Sequence, residues 1–315
     1  MNGMPESLTI SSEDFQAIRV IFQDLFNQYD IPYPSSGSVL LDPSYYSDCC
    51  AYAFSKGYSV TPSSEVHRHI QIGSIMGQLA YGHLPDRAAQ IYVAMFTAVL
   101  VWIDDVAQSD VERARSFCGC FINGRPQPDP GLELVAQTLH DAAKLYAPVQ
   151  AAMIVNSALN FINGSVLEYD LRDMKLSPEA PEYPYFVRTL TGIAEAFAIM
   201  VFPSDVPFET YIQALPSIMV FANVTNDVLS FYKEELAGEN INYVSRAAFA
   251  RGVSKVTALR TIANETISAD RRARKVLDAD KQTREAYARF REGFTLFHVA
   301  SRRYKLDDLG LWERP

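Results

Sequence analysis

The sequence contains few cysteines and histidines, and their spacing excludes two common kinds of site. Its 315 residues include four cysteines, at Cys49 and Cys50 and at Cys118 and Cys120. Adjacent cysteines, or cysteines one residue apart, suit neither a local disulfide nor a zinc site. The five histidines form no His-Glu-x-x-His motif of the zinc hydrolases. We therefore expect reduced thiols and a cytoplasmic location.

The sequence also lacks a surplus of positive charge and a long apolar run. There are 28 Lys and Arg against 37 Asp and Glu, a net charge of -9, which argues against nucleic acid or a membrane surface as the main partner. The longest apolar run, Ile91 to Ile103, is too short to span a bilayer, and no signal-peptide pattern is found near the N-terminus. An anionic substrate stays open, because bound cations can reverse the field within a site.

No stretch alternates apolar and polar residues between turn signals, so no β-sheet is predicted. Apolar residues make up 48% of the chain and recur at helical spacing, which predicts one all-α domain over 1–315. About residues 1–12 are expected to be disordered. Thr61 and Pro62 resemble an N-cap followed by an initiating proline, so a helix is expected from there to about residue 82. Further helices are expected over 15–26, 85–105, 131–147, 149–171, 183–201, 207–236, 255–278 and 281–304.

Asn226, Ser230 and Glu234 form the most specific pattern in the sequence. Their spacing of four and eight residues places three oxygen-bearing side chains along one helix face. Carboxamide, hydroxyl and carboxylate oxygens suit Mg²⁺, which shares its remaining positions with water and phosphate. Lys233 adds a cation that could reach a phosphate oxygen. A solvent-facing polar row is the alternative, but the preceding segment 218–222 is strongly apolar.

Two further motifs place charge next to apolar helices. Asp104 and Asp105 directly follow the long apolar run, where two carboxylates are costly unless a cation neutralises them. Arg302, Arg303 and Tyr304 follow an amphipathic segment, and a guanidinium group matches phosphate oxygens. Each motif by itself also suits an ordinary helix end. Together with the polar row, on three different helices, they are what a diphosphate site with three Mg²⁺ ions needs.

These motifs resemble those of the class I terpene cyclases of the trichodiene synthase type. Asn-Asp-x-x-Ser-Phe-Tyr-Lys-Glu at 226–234 is similar to the family's second metal-binding motif. Ile-Asp-Asp at 103–105 is similar to its aspartate-rich motif, and Arg-Arg-Tyr at 302–304 to its C-terminal Arg-Tyr pair. The resemblance extends in scattered blocks over about residues 65–308. It implies an all-α, single-domain helical bundle around a central active-site cavity.

The resemblance also implies a metal set. Asp104 would bind one Mg²⁺, and Asn226, Ser230 and Glu234 would hold another. Three ions are expected in all, with Mn²⁺ as a substitute. The acid that usually stands three residues after the second aspartate is absent, since Gln108 occupies that position.

Contacts to the diphosphate follow from the same resemblance. Lys233, Arg303 and Tyr304 would contact the diphosphate, and Asp105 would pair with Arg303 when the site closes.

A fourth block, Tyr-Pro-Tyr-Phe-Val-Arg-Thr-Leu-Thr-Gly at 183–192, is similar to a diphosphate-sensing segment of the family. Arg188 would bind the diphosphate, and Gly192, at a helix break four residues later, would turn its carbonyl toward the substrate. A surface arginine and a close helix contact are the alternatives.

The implied function is a Mg²⁺-dependent cyclase that ionises a prenyl diphosphate and folds the carbocation into a cyclic hydrocarbon or alcohol, releasing diphosphate. Farnesyl diphosphate (C15) is the expected substrate. Aromatic rings stabilise a cation held over their faces, although core packing is the alternative for any aromatic residue at helical spacing. Candidate cavity residues are Phe96, Trp102, Phe161, Phe221, Phe294 and Phe297.

Two other functions stay open. A chain-elongating prenyltransferase would use two aspartate-rich motifs, and the Asn/Ser/Glu pattern speaks against it. A catalytically inactive relative could act as a helical binding protein, for which Gln108 is the one hint in the sequence. If the chain assembles, a homodimer is the commonest form.

Overall fold

The computed structural model describes residues 10–31 and 40–311, which are largely helical and contain no β-strand. The predicted all-α class is confirmed. Residues 1–9 of the segment expected to be disordered lie outside the described residues, and the first helix begins at Ser12. The helices are α1 (Ser12–Tyr29), α2 (Pro43–Ser55), α3 (His67–Ala80), α4 (Arg87–Ser109), α5 (Val111–Ile122), α6 (Pro130–His140), α7 (Ala142–Leu145), α8 (Pro148–Asp170), α9 (Tyr183–Leu190), α10 (Ala194–Met200), α11 (Leu215–Ala237), α12 (Tyr243–Arg251), α13 (Lys255–Leu277) and α14 (Lys281–Ala300).

The prediction that a helix starts at Thr61 is wrong, because the Thr61 carbonyl accepts hydrogen bonds within a local turn. The Ser64 backbone N–H donates to this carbonyl at 2.9 Å and the Ser64 hydroxyl donates to it at 2.7 Å. Helix α3 begins only at His67. Serine side chains that bond nearby backbone groups favour turns over helix interiors.

Several other helices begin or end at residues different from those predicted. Helix α4 continues past the two aspartates to Ser109, and Asp110 then caps α5 by accepting a hydrogen bond from the Arg113 N–H. Asp141 separates α6 from α7 within the segment predicted as one helix over 131–147. Residues 208–214 form two 3₁₀ turns before α11, and another 3₁₀ turn at 302–304 follows α14. Helices α2, α5 and α12 were not predicted.

Six helices form a closed ring. Going round it, α3 packs on α4, α4 on α8, α8 on α10, α10 on α11, α11 on α14, and α14 on α3. Close approach is possible because Gly73 lies where a methyl group would collide with the Ala94 carbonyl, and Gly293 lies where one would collide with the Leu79 backbone. A continuous apolar core joins these helices to α1 and α13 on the outside.

Helix α4 contributes many buried residues to this core. Among the described residues it is the one helix long and apolar enough to cross a membrane by length and composition, and 67% of its most apolar window is buried inside the fold. Burial against neighbouring helices is the environment of a core helix.

Candidate active site

A cavity of about 860 Å³ lies among the helices of the ring. Along three of these helices its wall becomes more polar toward the C-terminal end of the helix. On α4 the lining passes from Thr97 and Val101 to the two aspartates, and on α8 it passes from Phe161 to Glu168. On α11 it passes from Ala222 to the Asn/Ser/Glu row. The cavity therefore has an apolar part and a polar part, each built by several helices.

The structure brings the four predicted metal ligands to this one cavity. Asp104, Asn226, Ser230 and Glu234 all line it. Ser230 is buried, with 4% of its surface exposed, so the polar row of α11 faces the interior. The alternative of a solvent-facing row does not fit this burial.

Asp104 is held by a neighbouring helix. The Ser165 hydroxyl on α8 donates to its Oδ1 at 2.9 Å. Burial raises the pKa of the Asp104 carboxyl, the hydrogen bond from Ser165 opposes this, and the Asp105 carboxylate raises it further. Arg303 and Arg188 are close enough to lower the same pKa.

Glu168 is a cavity residue that the sequence did not reveal. It lies one turn after Ser165 on α8, where burial raises the pKa of its carboxyl and the nearby Asp104 raises it further. Arg246 of α12 donates to its Oε1 at 2.9 Å. A single glutamate near a helix end has no distinctive spacing, so no pattern in the sequence marks it.

The polar part of the cavity is therefore rich in carboxylates that are costly to ionise. Burial raises the pKa of Glu234 as it does those of Asp104 and Glu168. Such groups ionise readily only when cations offset the lost hydration. Within the described ranges no three His, Cys, Asp or Glu side chains are grouped to hold a metal ion by themselves, and Mg²⁺ commonly takes one or two carboxylates plus substrate phosphates.

Arg188 joins α9 to α11. Its Nε donates to both carboxylate oxygens of Asp227, at 2.7 and 2.8 Å. One terminal nitrogen donates to the Thr191 carbonyl at 3.2 Å and the other to the Asn223 carbonyl at 3.1 Å. Burial opposes the charge on the guanidinium, but Asp227 outweighs it and the pKa of Arg188 is raised. Arg188 is an internal residue that lines the cavity, not a surface one.

A helix break follows Arg188 where the sequence suggested one. Helix α9 ends at Leu190 and α10 begins at Ala194, and between them Ile193 adopts a left-handed conformation with φ of 54°. A side chain at Gly192 would collide with the Asn223 carboxamide on α11. Gly192 and its neighbours line the cavity, so the close helix contact and the cavity position occur together.

Lys233 lies close to the turn at 302–304 that follows α14. Lys233 donates to Glu234 Oε1 at 3.1 Å, and its Nζ lies 5.8 Å from the centre of the Tyr304 ring. Tyr304 is buried and Arg303 is exposed, and both line the cavity. In this structure the partners of Asp105 are Arg68 and His69 on α3.

Asn226 has a buried partner that the sequence did not indicate. Its Nδ2 lies 3.0 Å from Nε2 of His298, whose Nδ1 lies 2.7 Å from the Phe294 carbonyl oxygen. Burial, opposed by the hydrogen bond with the Phe294 carbonyl and assisted by the charges of Lys233 and Arg303, lowers the pKa of His298 to about 4. A pKa lowered in this way favours the neutral imidazole.

Three of the six aromatic residues predicted to line the cavity do line it. Phe161, Phe294 and Phe297 line the cavity, as does Phe197, which was not predicted. The expectation is wrong for three others, which lie in the core. The ring of Phe221 packs at 5.3 Å from that of Tyr29 and that of Phe96 at 5.9 Å from that of Tyr92, while Trp102 packs beneath Arg113. Helices α4 and α11 are buried on several sides, so helical spacing could not separate core rings from cavity rings.

The sequence and the fold match known proteins. The family model for trichodiene synthase (TRI5) matches residues 62–314. Alpha-cuprenene synthase COP6 from Coprinopsis cinerea is 35% identical over 310 residues, covering 97% of this chain and 94% of that protein. Terpene synthase BipA from Cochliobolus sativus is 33% identical over 252 residues, covering 78% of this chain and 76% of that protein.

Among solved structures, linalool/nerolidol synthase from Streptomyces clavuligerus shares the fold. It aligns with a TM-score of 0.62 at 14% identity, covering 85% of this chain and 98% of that one. Its complex with 2-fluorogeranyl diphosphate aligns with a TM-score of 0.59 at 13% identity, covering 88% and 97%. The helical bundle that the resemblance implied is confirmed. Because the family model spans most of the sequence and a relative at 35% identity spans nearly all of it, this chain belongs to the trichodiene synthase family of terpene synthases.

Proposed function

We propose that this protein is a Mg²⁺-dependent sesquiterpene cyclase, a lyase that ionises farnesyl diphosphate, cyclises the carbocation and releases diphosphate. One observation carries the proposal. Oxygen donors from α4 and α11, together with basic side chains from α9, α11 and the turn after α14, face the polar part of one cavity whose other part is apolar. A prenyl diphosphate likewise has a polar part, the diphosphate, and an apolar part, the hydrocarbon chain.

The donor set fits Mg²⁺. Asp104 would hold ions on the α4 side, with Glu168 as a further carboxylate beside it. Asn226, Ser230 and Glu234 would hold an ion on the α11 side. The raised pKa values of the three carboxyl groups reflect buried sites that favour a nearby cation. When bound, Mg²⁺ supplies Lewis acidity that makes diphosphate a better leaving group.

The basic residues would bind the phosphate oxygens. Lys233, Arg303 and Tyr304 line the same cavity as Glu234, and Arg188 already donates to the Thr191 carbonyl at the α9–α10 break and to the Asn223 carbonyl on α11. Fixed donors of this kind stabilise charge as it develops without having to reorganise. Diphosphate bound there would directly adjoin the apolar part.

The apolar part would shape and protect the reacting chain. Phe161, Phe197, Phe294 and Phe297 line it, and each ring face that meets a cation contributes about 0.5–2 kcal/mol. Excluding water keeps the carbocation from premature capture. A volume of about 860 Å³ lies in the range of cavities that enclose a whole small molecule.

The test is product analysis with purified protein. Incubation with farnesyl diphosphate and Mg²⁺ should release diphosphate and give a C15 hydrocarbon or alcohol by gas chromatography–mass spectrometry, and EDTA should abolish both. Geranyl and C20 diphosphates, assayed in parallel, test the chain length. A product that needs isopentenyl diphosphate would instead indicate a prenyltransferase, and no diphosphate release from any substrate would indicate a binding protein.

A matched pair of variants tests the α11 face. Glu234→Ala should lower turnover by roughly 100-fold or more, as expected when a metal ligand or its close partner is lost. Glu235→Ala is the control, because the neighbouring Glu235 bonds Lys255 and does not line the cavity. Equal loss in both variants, with both folded by circular dichroism, would contradict the metal role of this face.

A further inference from the structure

His298 adjoins Asn226 in the cavity wall. Its side chain is completely buried, and its ring centre lies 4.6 Å from that of Phe294 and 4.7 Å from that of Tyr304. The two ring nitrogens face different partners. Nδ1 is 2.7 Å from the Phe294 carbonyl oxygen, and Nε2 is 3.0 Å from Nδ2 of Asn226.

These contacts determine where the imidazole hydrogen lies. A carbonyl oxygen only accepts hydrogen bonds, so Nδ1 of His298 carries the hydrogen and donates it to Phe294. The Nδ2 amide group of Asn226 only donates hydrogen bonds, so its contact with Nε2 requires Nε2 to present a lone pair. That lone pair accepts from the amide NH₂ of Asn226 and would repel the amide oxygen.

The consequence concerns the carboxamide. The oxygen and nitrogen ends of an asparagine side chain have nearly the same shape, so sterics alone do not choose between the two orientations. Only one end has lone pairs for a cation; the other end presents hydrogens. The Tyr304 hydroxyl also hydrogen-bonds the Asn226 side chain, but a hydroxyl can donate or accept and so does not choose between the two ends. The lone pair of Nε2 does choose, and with Nδ2 of Asn226 engaged by His298, Oδ1 is the end left to bind a ligand in the cavity.

We propose that His298 is a positioning residue, which fixes the Asn226 carboxamide in the one orientation that can bind a metal ion. The proposal rests on the proposed function, which makes Asn226 a ligand. His298 touches neither the ion nor the substrate in this role. Loss of a residue that orients a metal ligand typically weakens metal binding by about 10- to 100-fold.

The tautomer can be measured on the unaltered protein without metal. Two-dimensional NMR of full-length protein labelled with ¹⁵N-histidine at pH 7 should show His298 neutral, with its hydrogen on Nδ1. His298→Gln identifies the signals by removing them. A neutral ring with its hydrogen on Nε2, or a doubly protonated ring, would overturn the proposal, because neither leaves a lone pair facing Asn226.

Two variants of His298 then separate orientation from packing. The glutamine of His298→Gln can place Oε1 where Nε2 lies and still accept from the Asn226 amide. The shorter asparagine of His298→Asn reaches only the position of Nδ1. His83→Asn is the matched control. His83 is a half-buried histidine that does not line the cavity, and its Nε2 lies 2.8 Å from the Val201 carbonyl oxygen.

The readout is Mn²⁺ binding by electron paramagnetic resonance, with inorganic diphosphate present. His298→Asn should weaken binding by roughly 10- to 100-fold, while His298→Gln and His83→Asn should stay close to the unaltered protein. In steady-state assays, His298→Asn should likewise need more Mg²⁺ for half-maximal activity than His298→Gln, His83→Asn and the unaltered protein. Its kcat at saturating Mg²⁺ should change less.

The outcomes distinguish the two proposals. No Mn²⁺ binding by the unaltered protein would remove the proposed function. Normal binding by the unaltered protein and by folded His298→Asn would remove only the role of His298. If His298→Asn fails to fold, the tautomer measured on the unaltered protein decides, together with the binding by His298→Gln.

Discussion

Removing Asp227 should destabilise the protein severely, because it would leave a buried guanidinium group without its carboxylate partner. The side chains of Arg188 and Asp227 are only 13% and 12% exposed. Both carboxylate oxygens accept from Nε of Arg188. In Asp227→Leu the cation would keep its hydrogen bonds to the carbonyls of Thr191 and Asn223, but these carry only partial charge.

The magnitude follows from this burial. Breaking a buried ion pair by removing one partner costs about 3–5 kcal/mol, whereas replacing both partners by apolar side chains of similar size is often close to neutral. We therefore expect Asp227→Leu to lose about 3–5 kcal/mol of the free energy of unfolding. The double variant Arg188→Met/Asp227→Leu should recover most of that loss. Asp173→Ala, at a carboxylate that is 94% exposed, should leave the free energy of unfolding unchanged.

The assay is urea unfolding at pH 7, followed by circular dichroism and analysed by linear extrapolation. The slopes should agree among the variants, so that shifts in midpoint report free energy. A loss below about 1 kcal/mol for Asp227→Leu, the size expected of an exposed pair, would refute the reasoning. So would a double variant no more stable than the single one.

Three other substitutions test separate contacts. Tyr29→Phe should cost about 1–3 kcal/mol in urea unfolding, because the buried hydroxyl bonds Thr225 at 2.6 Å and Thr266 at 2.9 Å; no change would contradict this. Gly192→Ala should cost about 1–3 kcal/mol by overpacking and should lower turnover, since its new methyl group meets a carboxamide on α11; unchanged melting temperature and turnover would contradict that. Burial raises the pKa of Asp141, but hydrogen bonds from two lysines and a tyrosine outweigh it and lower the pKa below 3.8. Asp141→Asn should thus cost about 1.5–3 kcal/mol at pH 7, and the difference should shrink as the pH falls below 3.8; a pH-independent difference would argue against the charge.

The polar row of the candidate site could be predicted from the sequence because helical geometry fixes it. Once residues 215–237 form a helix, Asn226, Ser230 and Glu234 have to share a face. Nothing similar fixes Glu168, whose proximity to Asp104 depends on how α8 packs against α4. Such contacts are tertiary, and a single residue carries no signal of them.

Errors in the aromatic wall have a related cause. Phe96 and Phe221 stand at helical spacing near the motifs, but both are completely buried in the core. Their helices are apolar on several faces, and periodicity identifies the cavity face only when the opposite face is polar. The start of α3 depended on the Ser64 hydroxyl bonding the Thr61 carbonyl, a local competition that composition does not decide.

The distribution of charged side chains around the cavity affects how Mg²⁺ and diphosphate would bind there. The donors that the protein offers are divided between α4 with α8 on one side and α11 on the other, and those on α11 include the neutral Asn226 and Ser230. Each side by itself supplies few charges for a divalent ion, and Mg²⁺ gives up its water reluctantly. A diphosphate bound between Lys233 and Arg188 would add oxygens to both sides at once. Binding of Mg²⁺ and of the diphosphate would then favour each other, because each supplies the charge that the buried groups around the other lack.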